Sequence, residues 1–126
     1  MDTITALVIE PLRRPELRDI DPTITAIGKT IGGYAEPLPL DRRTTLWCDG
    51  EGAIRNLKPN RTIRLSQDSR LADAGKPIII RGTFVITGLY LNDGPLGLDD
   101  EQIGRYAAMF SDPEAPCRPP RRQKRS

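Results

Sequence analysis

Residues 21–40 read DPTITAIGKTIGGYAEPLPL, and the fold turns on how this stretch divides. Asp21 can accept from the free N–H groups of a first helical turn. Pro22 suits the first helical position, where its missing N–H has no intrahelical partner anyway. Ile24, Ile27 and Ile31 follow at spacings of three and four and line one helical face. Thr23, Thr25, Lys29 and Thr30 fall largely off that stripe. The β-branched residues weaken intrinsic helicity, so the helix is expected to rely on packing. Gly32 and Gly33 end it, because glycine takes positive φ without steric cost. Tyr34 to Leu40 then alternates, with Tyr34, Glu36, Leu38 and Leu40 on one side. Pro37 and Pro39 cannot donate to a ladder, which predicts an edge strand. Glu36, on this otherwise apolar side, has two readings: a rim carboxylate paired with an arginine, or a ligand contact in a pocket.

Composition bounds the rest. A chain of 126 residues is expected to form one domain, over residues 1–112, followed by a tail over 113–126. Aromatic residues make up only 5%, so aliphatic side chains must build the core. No run of about 18 apolar residues is present, so no membrane span is expected. The start, MDTITALVIEP, lacks a basic leader and a long apolar run, unlike a secretory signal. Cys48 and Cys117 are far apart in sequence and fit two reduced thiols in a cytosolic protein better than a disulfide. The chain has no histidine, which removes the most usual general base and most zinc and non-haem iron sites. The net charge of +2 hides an asymmetry: residues 117–126 carry five basic and no acidic side chains, leaving 14 basic against 17 acidic elsewhere.

Outward from the opening stretch, Thr3 to Glu10 reads as a strand apolar on both faces, near the middle of a sheet. Glu16 to Ile20 is a weaker strand. Thr44 to Cys48 (TTLWC) is rich in β formers, and the turn Asp49-Gly50-Glu51-Gly52 predicts that Ala53 to Leu57 pairs back as a hairpin. Thr62 to Leu65 is one more short strand. Ser66 to Lys76 is polar and long for a connection, which suits a mobile loop or a binding surface. Pro77 to Tyr90 is the most apolar segment and predicts one long central strand, bent at Arg81-Gly82. Leu98 to Phe110 is a second helix, capped by Asp99 with Gln102 completing a capping box; Ile103, Tyr106, Ala107 and Phe110 face the sheet. These elements give an α+β class: a mixed, mostly antiparallel sheet of five to six strands with two helices packed on one face. The Pro/Arg-rich tail cannot bury enough apolar surface to offset its ordering and is expected to be disordered.

Several pieces of this sequence, in this order, carry a family resemblance. They are V-I-E-P (Val8 to Pro11), I-D-P (Ile20 to Pro22), G-G-Y-x-E-x-L-x-L (Gly32 to Leu40) and W-C-D-G-E-G with L-K-P-N-R after it (Trp47 to Gly52, Leu57 to Arg61). G-T-F-V-I-T-G (Gly82 to Gly88) and L-D-D-E-Q-I-x-x-Y (Leu98 to Tyr106) complete the set. Over roughly residues 4 to 110 the chain resembles a family of uncharacterised small proteins encoded by phages and mobile elements, catalogued as a domain of unknown function. The paired prolines at Pro37 and Pro39 and the basic tail depart from its pattern. The resemblance implies a phage-type origin and an accessory role; it carries over no catalytic residue.

The residues themselves argue against most enzyme classes. Cys48 has no histidine to activate it and sits beside Trp47 within a strand, which favours a buried thiol over a nucleophile. The run Asp99-Asp100-Glu101 suits a helix start better than a metal site. Gly28-Lys29-Thr30 lacks the upstream glycines of a phosphate loop. The sequence therefore implies no cofactor and no metal. The leading expectation is a non-enzymatic module that contacts a host or phage protein in the host cytoplasm, as a monomer or homodimer. Its candidate contact residues are Tyr34, Glu36, Arg61 and Arg81, with the Asp49–Gly52 turn and the Ser66–Lys76 loop. The alternative is weak, sequence-independent nucleic-acid binding through Arg118, Arg121, Arg122, Lys124 and Arg125. A third reading, an enzyme or small-ligand sequestering protein, places Glu36 and nearby arginines in a pocket.

Overall fold

Nine strands and two helices follow one another in a structure that describes residues 2–64, 76–92 and 94–113, taken from a computed structural model. In chain order they are β1 (Ile4–Ile9), β2 (Glu16–Ile20), α1 (Ile24–Ile31), β3 (Ala35–Asp41), β4 (Thr44–Asp49) and β5 (Pro59–Arg64). β6 (Pro77–Arg81), β7 (Phe84–Gly88), β8 (Tyr90–Leu91), β9 (Gly94–Pro95) and α2 (Asp100–Met109) complete the set. The class is α+β. Five strands form one antiparallel sheet in the order β2-β1-β7-β4-β3, while β5-β6 and β8-β9 form separate two-stranded ribbons.

Alternation along the three inner strands decides where the helices go, because successive side chains point to opposite faces. Leu7 and Ile9 of β1, Leu46 and Cys48 of β4, and Phe84 and Ile86 of β7 pack with Tyr106 and Phe110 of α2 and with Ile63 and Ile80 of the β5-β6 ribbon. Ala6, Val8, Trp47 and Val85 point the other way and pack with Ile27 and Ile31 of α1. The two helices therefore cover opposite faces of the sheet, not one face as the sequence suggested. An inner strand apolar on both sides needs a cover on each. The apolar stripe of α2 and the capping box at Asp99 are as read from the sequence, whereas of the α1 stripe Ile27 and Ile31 are buried and Ile24 is 44% exposed. Helix α1 starts two residues later than expected: its N-cap is not Asp21 but Thr23, whose hydroxyl accepts from the Ala26 N–H at 3.0 Å. Gly32, at φ +84°, closes its other end.

Two further expectations are corrected. Ala53 to Leu57 does not pair back on β4, because β3 and β7 already occupy both sides of that strand. The segment coils instead, with Arg55 N–H donating to Glu51 O at 2.8 Å and Leu57 N–H to Gly52 O at 2.9 Å. Pro77 to Tyr90 is not one bent strand. Gly82, at φ +77° with its N–H on Lys58 O at 2.7 Å, breaks it, so that β6 pairs with β5 while β7 becomes the centre of the main sheet. The edge assignment of β3 is correct: Pro37 and Pro39 lie on the last strand, where the donors they lack are not needed by a neighbour.

Helix α2 is latched to the turn between β3 and β4. The Tyr106 hydroxyl donates to Asp41, the Arg43 N–H donates to Asp41 Oδ1 at 2.7 Å, and Arg105 lies 3.8 Å from the same carboxylate. Gln102 Nε2 donates to Arg43 O and Thr44 Oγ1 at 2.8 and 2.9 Å. Burial alone would raise the Asp41 pKa, but the hydrogen bonds from Tyr106, Arg43 and Thr44 and the charge of Arg105 outweigh it and hold the carboxyl below its ordinary 3.8. A carboxylate depressed in the folded state adds stability above its unfolded value and loses it as the pH falls through the folded one. Thermal unfolding followed across acid pH should therefore show a falling limb below pH 3.8, and Asp41→Asn should be less stable at neutral pH with a flatter acid limb.

Candidate functional site

The end of β4 carries the residues that the sequence singled out most densely. Asp49 is the last residue of the strand, and its carboxylate is turned inward, with 1% of the side chain exposed. It accepts from the Glu51 N–H at 2.8 Å and pairs with the Arg55 guanidinium, whose Nη2 also reaches Gly32 O at 3.4 Å. Gly33 makes this possible: a Cβ there would fall on the Asp49 carboxylate and the Arg55 guanidinium. The end of α1, the end of β4 and the coiled segment after it are thus tied at one ion pair, in which Asp49 is buried and Arg55 is partly exposed.

Around this brace the structure gathers three of the four predicted contact residues. Gly50 N–H donates to Tyr34 O at 2.9 Å. A Cβ on Gly50 would lie 3.1 Å from Glu36 Oε1 and 3.4 Å from the Tyr34 ring, so both side chains close over that glycine. A Cβ on Gly52 would lie 3.3 Å from that of Arg81, whose Nη1 donates to Leu57 O at 3.2 Å. Tyr34 is 74% exposed, and Ile54, on the coiled segment, is 85% exposed. Glu36 is exposed at the rim, opposite Cys48 across the β3-β4 pair. Arg55 pairs with Asp49 across this corner.

Arg61 lies apart from this corner and has no exposed surface. Its Nη1 donates to Asn60 Oδ1 at 2.8 Å, and its Nη2 donates to Arg13 O at 2.6 Å and Phe110 O at 2.9 Å. It joins backbone segments inside the protein. The tail residues Arg118, Arg121, Arg122, Lys124 and Arg125 lie outside the described residues, as does the Ser66–Lys76 loop apart from Lys76.

Sequence reading missed Ile54 and the Asp49–Arg55 brace. The signal was present as an acid at the end of an apolar strand, with an arginine six positions on across two glycines. Reading Ala53 to Leu57 as a strand hid it. A second feature, a groove of about 290 Å³ beside the start of α2, is lined by Arg42, Arg43 and Arg105 with Asp41 and Glu101. Arg43 faces Asp99 and Glu101, and Arg105 faces Asp41, so acids and bases are interleaved there.

The chemistry of Cys48 is that of a buried thiol. Burial, with the charges of Glu36 and Asp49, pushes its pKa up to about 12, which keeps it protonated and poorly nucleophilic near neutral pH. Among the described residues no cluster of three or more acidic or cysteine side chains is arranged to hold a metal ion, and no helix is long and apolar enough to cross a membrane.

Comparison with curated proteins and with solved structures gives no match. A family model does match, over residues 4–111, and it covers both helices and all nine strands. The chain belongs to that family, the domain of unknown function DUF3846.

Proposed function

We propose that the chain is a non-enzymatic binding module of phage type that acts in the host cytoplasm by contacting a host or phage protein. The observation that carries this reading is the braced corner. Tyr34 and Ile54, the two most exposed large apolar side chains among the described residues, stand on a backbone tied by the Asp49–Arg55 pair. A rigid backbone lowers the ordering cost of association, and aromatic anchors are over-represented among residues that dominate binding energy. Glu36 and Glu51 add exposed carboxylates beside them. The protonated state of Cys48 also favours docking over turnover. Wild-type chain and a Tyr34→Ala/Ile54→Ala variant should be used in parallel as baits in a lysate of the host. A protein retained by the first and lost, by roughly 10-fold or more, with the second is expected. Identical recoveries from both baits would remove the corner from the interaction.

A second reading is sequence-independent nucleic-acid binding by the tail, favoured by the five basic and no acidic side chains of residues 117–126. Binding to single- or double-stranded DNA would then weaken with salt, with a logarithmic slope of about −3 to −5 for full engagement. Replacing Arg118, Arg121, Arg122, Lys124 and Arg125 with glutamine should abolish both the binding and the slope. Binding that persists with the same slope would place the contact elsewhere.

A further inference from the structure

The main sheet ends on β3 at one side and on β2 at the other, and the two free edges offer different backbone groups. Residues along an antiparallel strand alternate in which neighbour their N–H and C=O face. On β1, Thr5 O accepts from Leu98 N–H at 2.9 Å, and Ile9 O accepts from Asn60 Nδ2 at 2.8 Å. Both donors lie on the β7 side: Leu96 is bonded to Gly88 at the end of β7, and Asn60 also holds Gly82 just before its start. Thr5, Leu7 and Ile9 therefore face β7, while Ala6 and Val8 face β2. Ala6–Arg18 and Val8–Glu16 are then the bonded pairs of β1 and β2, and the N–H and C=O of Leu17 and Asp19 point out of the sheet. Carried across β7 and β4, the same alternation turns Pro37 and Pro39 outward on β3, where neither has a donor to offer. Edge β3 is closed to a further strand; edge β2 is open, and among the described residues no strand lies beyond it.

The side chains of β2 say what fits there. Leu17, 54% exposed, lies on one face, and Glu16 and Arg18 lie on the other, with Arg18 Nη2 2.6 Å from Glu16 Oε1. Charge on an edge strand ordinarily keeps other strands away. Here the sign alternates, so a second β2 can be attracted in one register. About a two-fold axis the outward groups of both copies must meet, so each register is centred on one residue. Centring on Glu16, Arg18 or Asp19 sets that charge against its own copy, and centring on Ile20 sets Asp19 against Asp21. Centring on Leu17 sets leucine against leucine and Glu16 against Arg18 on both sides of the axis. Opposite charges directly across a strand pair stabilise it, and like charges destabilise it.

We propose that two copies of this chain associate edge to edge through β2, antiparallel about a two-fold axis at Leu17, joining their five-stranded sheets into one. Leu17 N–H of each copy donates to Leu17 O of the other. Asp19 N–H donates to Pro15 O, and the return bond is absent because proline has no N–H. Glu16 and Arg18 of the two copies form an alternating cluster of four charges on one face, and the two Leu17 side chains cover each other on the opposite face. The braced corner lies by β3 and β4, at the far edge of the sheet, and stays open in both copies.

Sedimentation velocity of the full chain over a micromolar concentration series tests this. The expected result is a species of twice the 14.0 kDa chain mass that dissociates on dilution. Leu17→Pro leaves the bonds between β2 and β1 in place and removes the central donors, and should raise the dissociation constant roughly 100-fold. Glu16→Arg and Arg18→Glu each set like charges across the axis, and each variant alone should dissociate about 10-fold more readily or worse. The exposed pairs of Arg18 with Glu10 and Glu16 add little to the fold, so both variants stay folded. Mixed in equal amounts, Glu16→Arg and Arg18→Glu chains should dimerise again, because each meets opposite charge on the other. A chain that is monomeric throughout the series, including one whose β2 edge takes up a strand of a different protein, overturns the proposal. So does a dimer that Leu17→Pro leaves unchanged, or a mixture of the two charge variants that assembles no better than either alone.

Discussion

Asn60 and Arg61 form the polar joint on which the two layers of this protein depend. Both are fully buried. Asn60 Nδ2 donates to Ile9 O at 2.8 Å and to Gly82 O at 2.9 Å, and its Oδ1 accepts from Arg61. Arg61 carries the connection on to Arg13 O and Phe110 O. Two adjacent side chains therefore bind the end of β1, the break between β6 and β7, the β1-β2 connection and the end of α2. Each of those carbonyls lies where regular pairing stops, so each needs a donor that no neighbouring strand supplies. A guanidinium can satisfy several at once because its donors spread in a fixed plane. Burying that charge is costly, and the cost is offset only while the acceptors stay in place.

The apolar layers follow from this joint. With β6 turned away at Gly82, Ile63 and Ile80 of the β5-β6 ribbon are laid on the α2 side of the main sheet, against Phe84 and Phe110. The two rings meet edge-on at 5.4 Å. The opposite face is left to α1, whose Ile27 and Ile31 reach Trp47 and Val85. Trp47 is fully buried, and its indole N–H is satisfied by the Thr87 hydroxyl at 2.9 Å. The strand ends left over by this arrangement, the corner after β4 and the ribbon after β7, are where apolar side chains remain exposed on fixed backbone.

How much of this was legible depended on whether the deciding interaction was local. The Ile27 and Ile31 part of the α1 stripe, the Asp99–Gln102 capping box and the edge character imposed by Pro37 and Pro39 are short-range features, and the structure keeps them, while Ile24 is left exposed. The two-sided burial of β1 was also readable from its alternation. What failed was long-range. Nothing local says that β4 has both sides occupied, so Ala53 to Leu57 read as a returning strand. Nothing local distinguishes a bend at Gly82 from a change of sheet. The even cover of both faces was implied by Ala6 and Val8 against Leu7 and Ile9, but assigning one helix to each needed the strand order. Arg61 looked like a surface residue for the same reason, since the Arg13 and Phe110 carbonyls it reaches come from distant parts of the chain. Of the residues gathered at the candidate corner, Tyr34, Glu36 and Arg81 were singled out in the sequence and Ile54 was not.

Replacing Arg61 by lysine keeps the charge and removes the forked set of donors, and so tests the joint most directly. Thermal unfolding of Arg61→Lys beside wild type should show a loss of roughly 2–3 kcal/mol, or a fall in Tm of about 10 °C or more. A melting temperature within about 2 °C of wild type would contradict the account, because a single ammonium cannot bridge Asn60, Arg13 and Phe110 together.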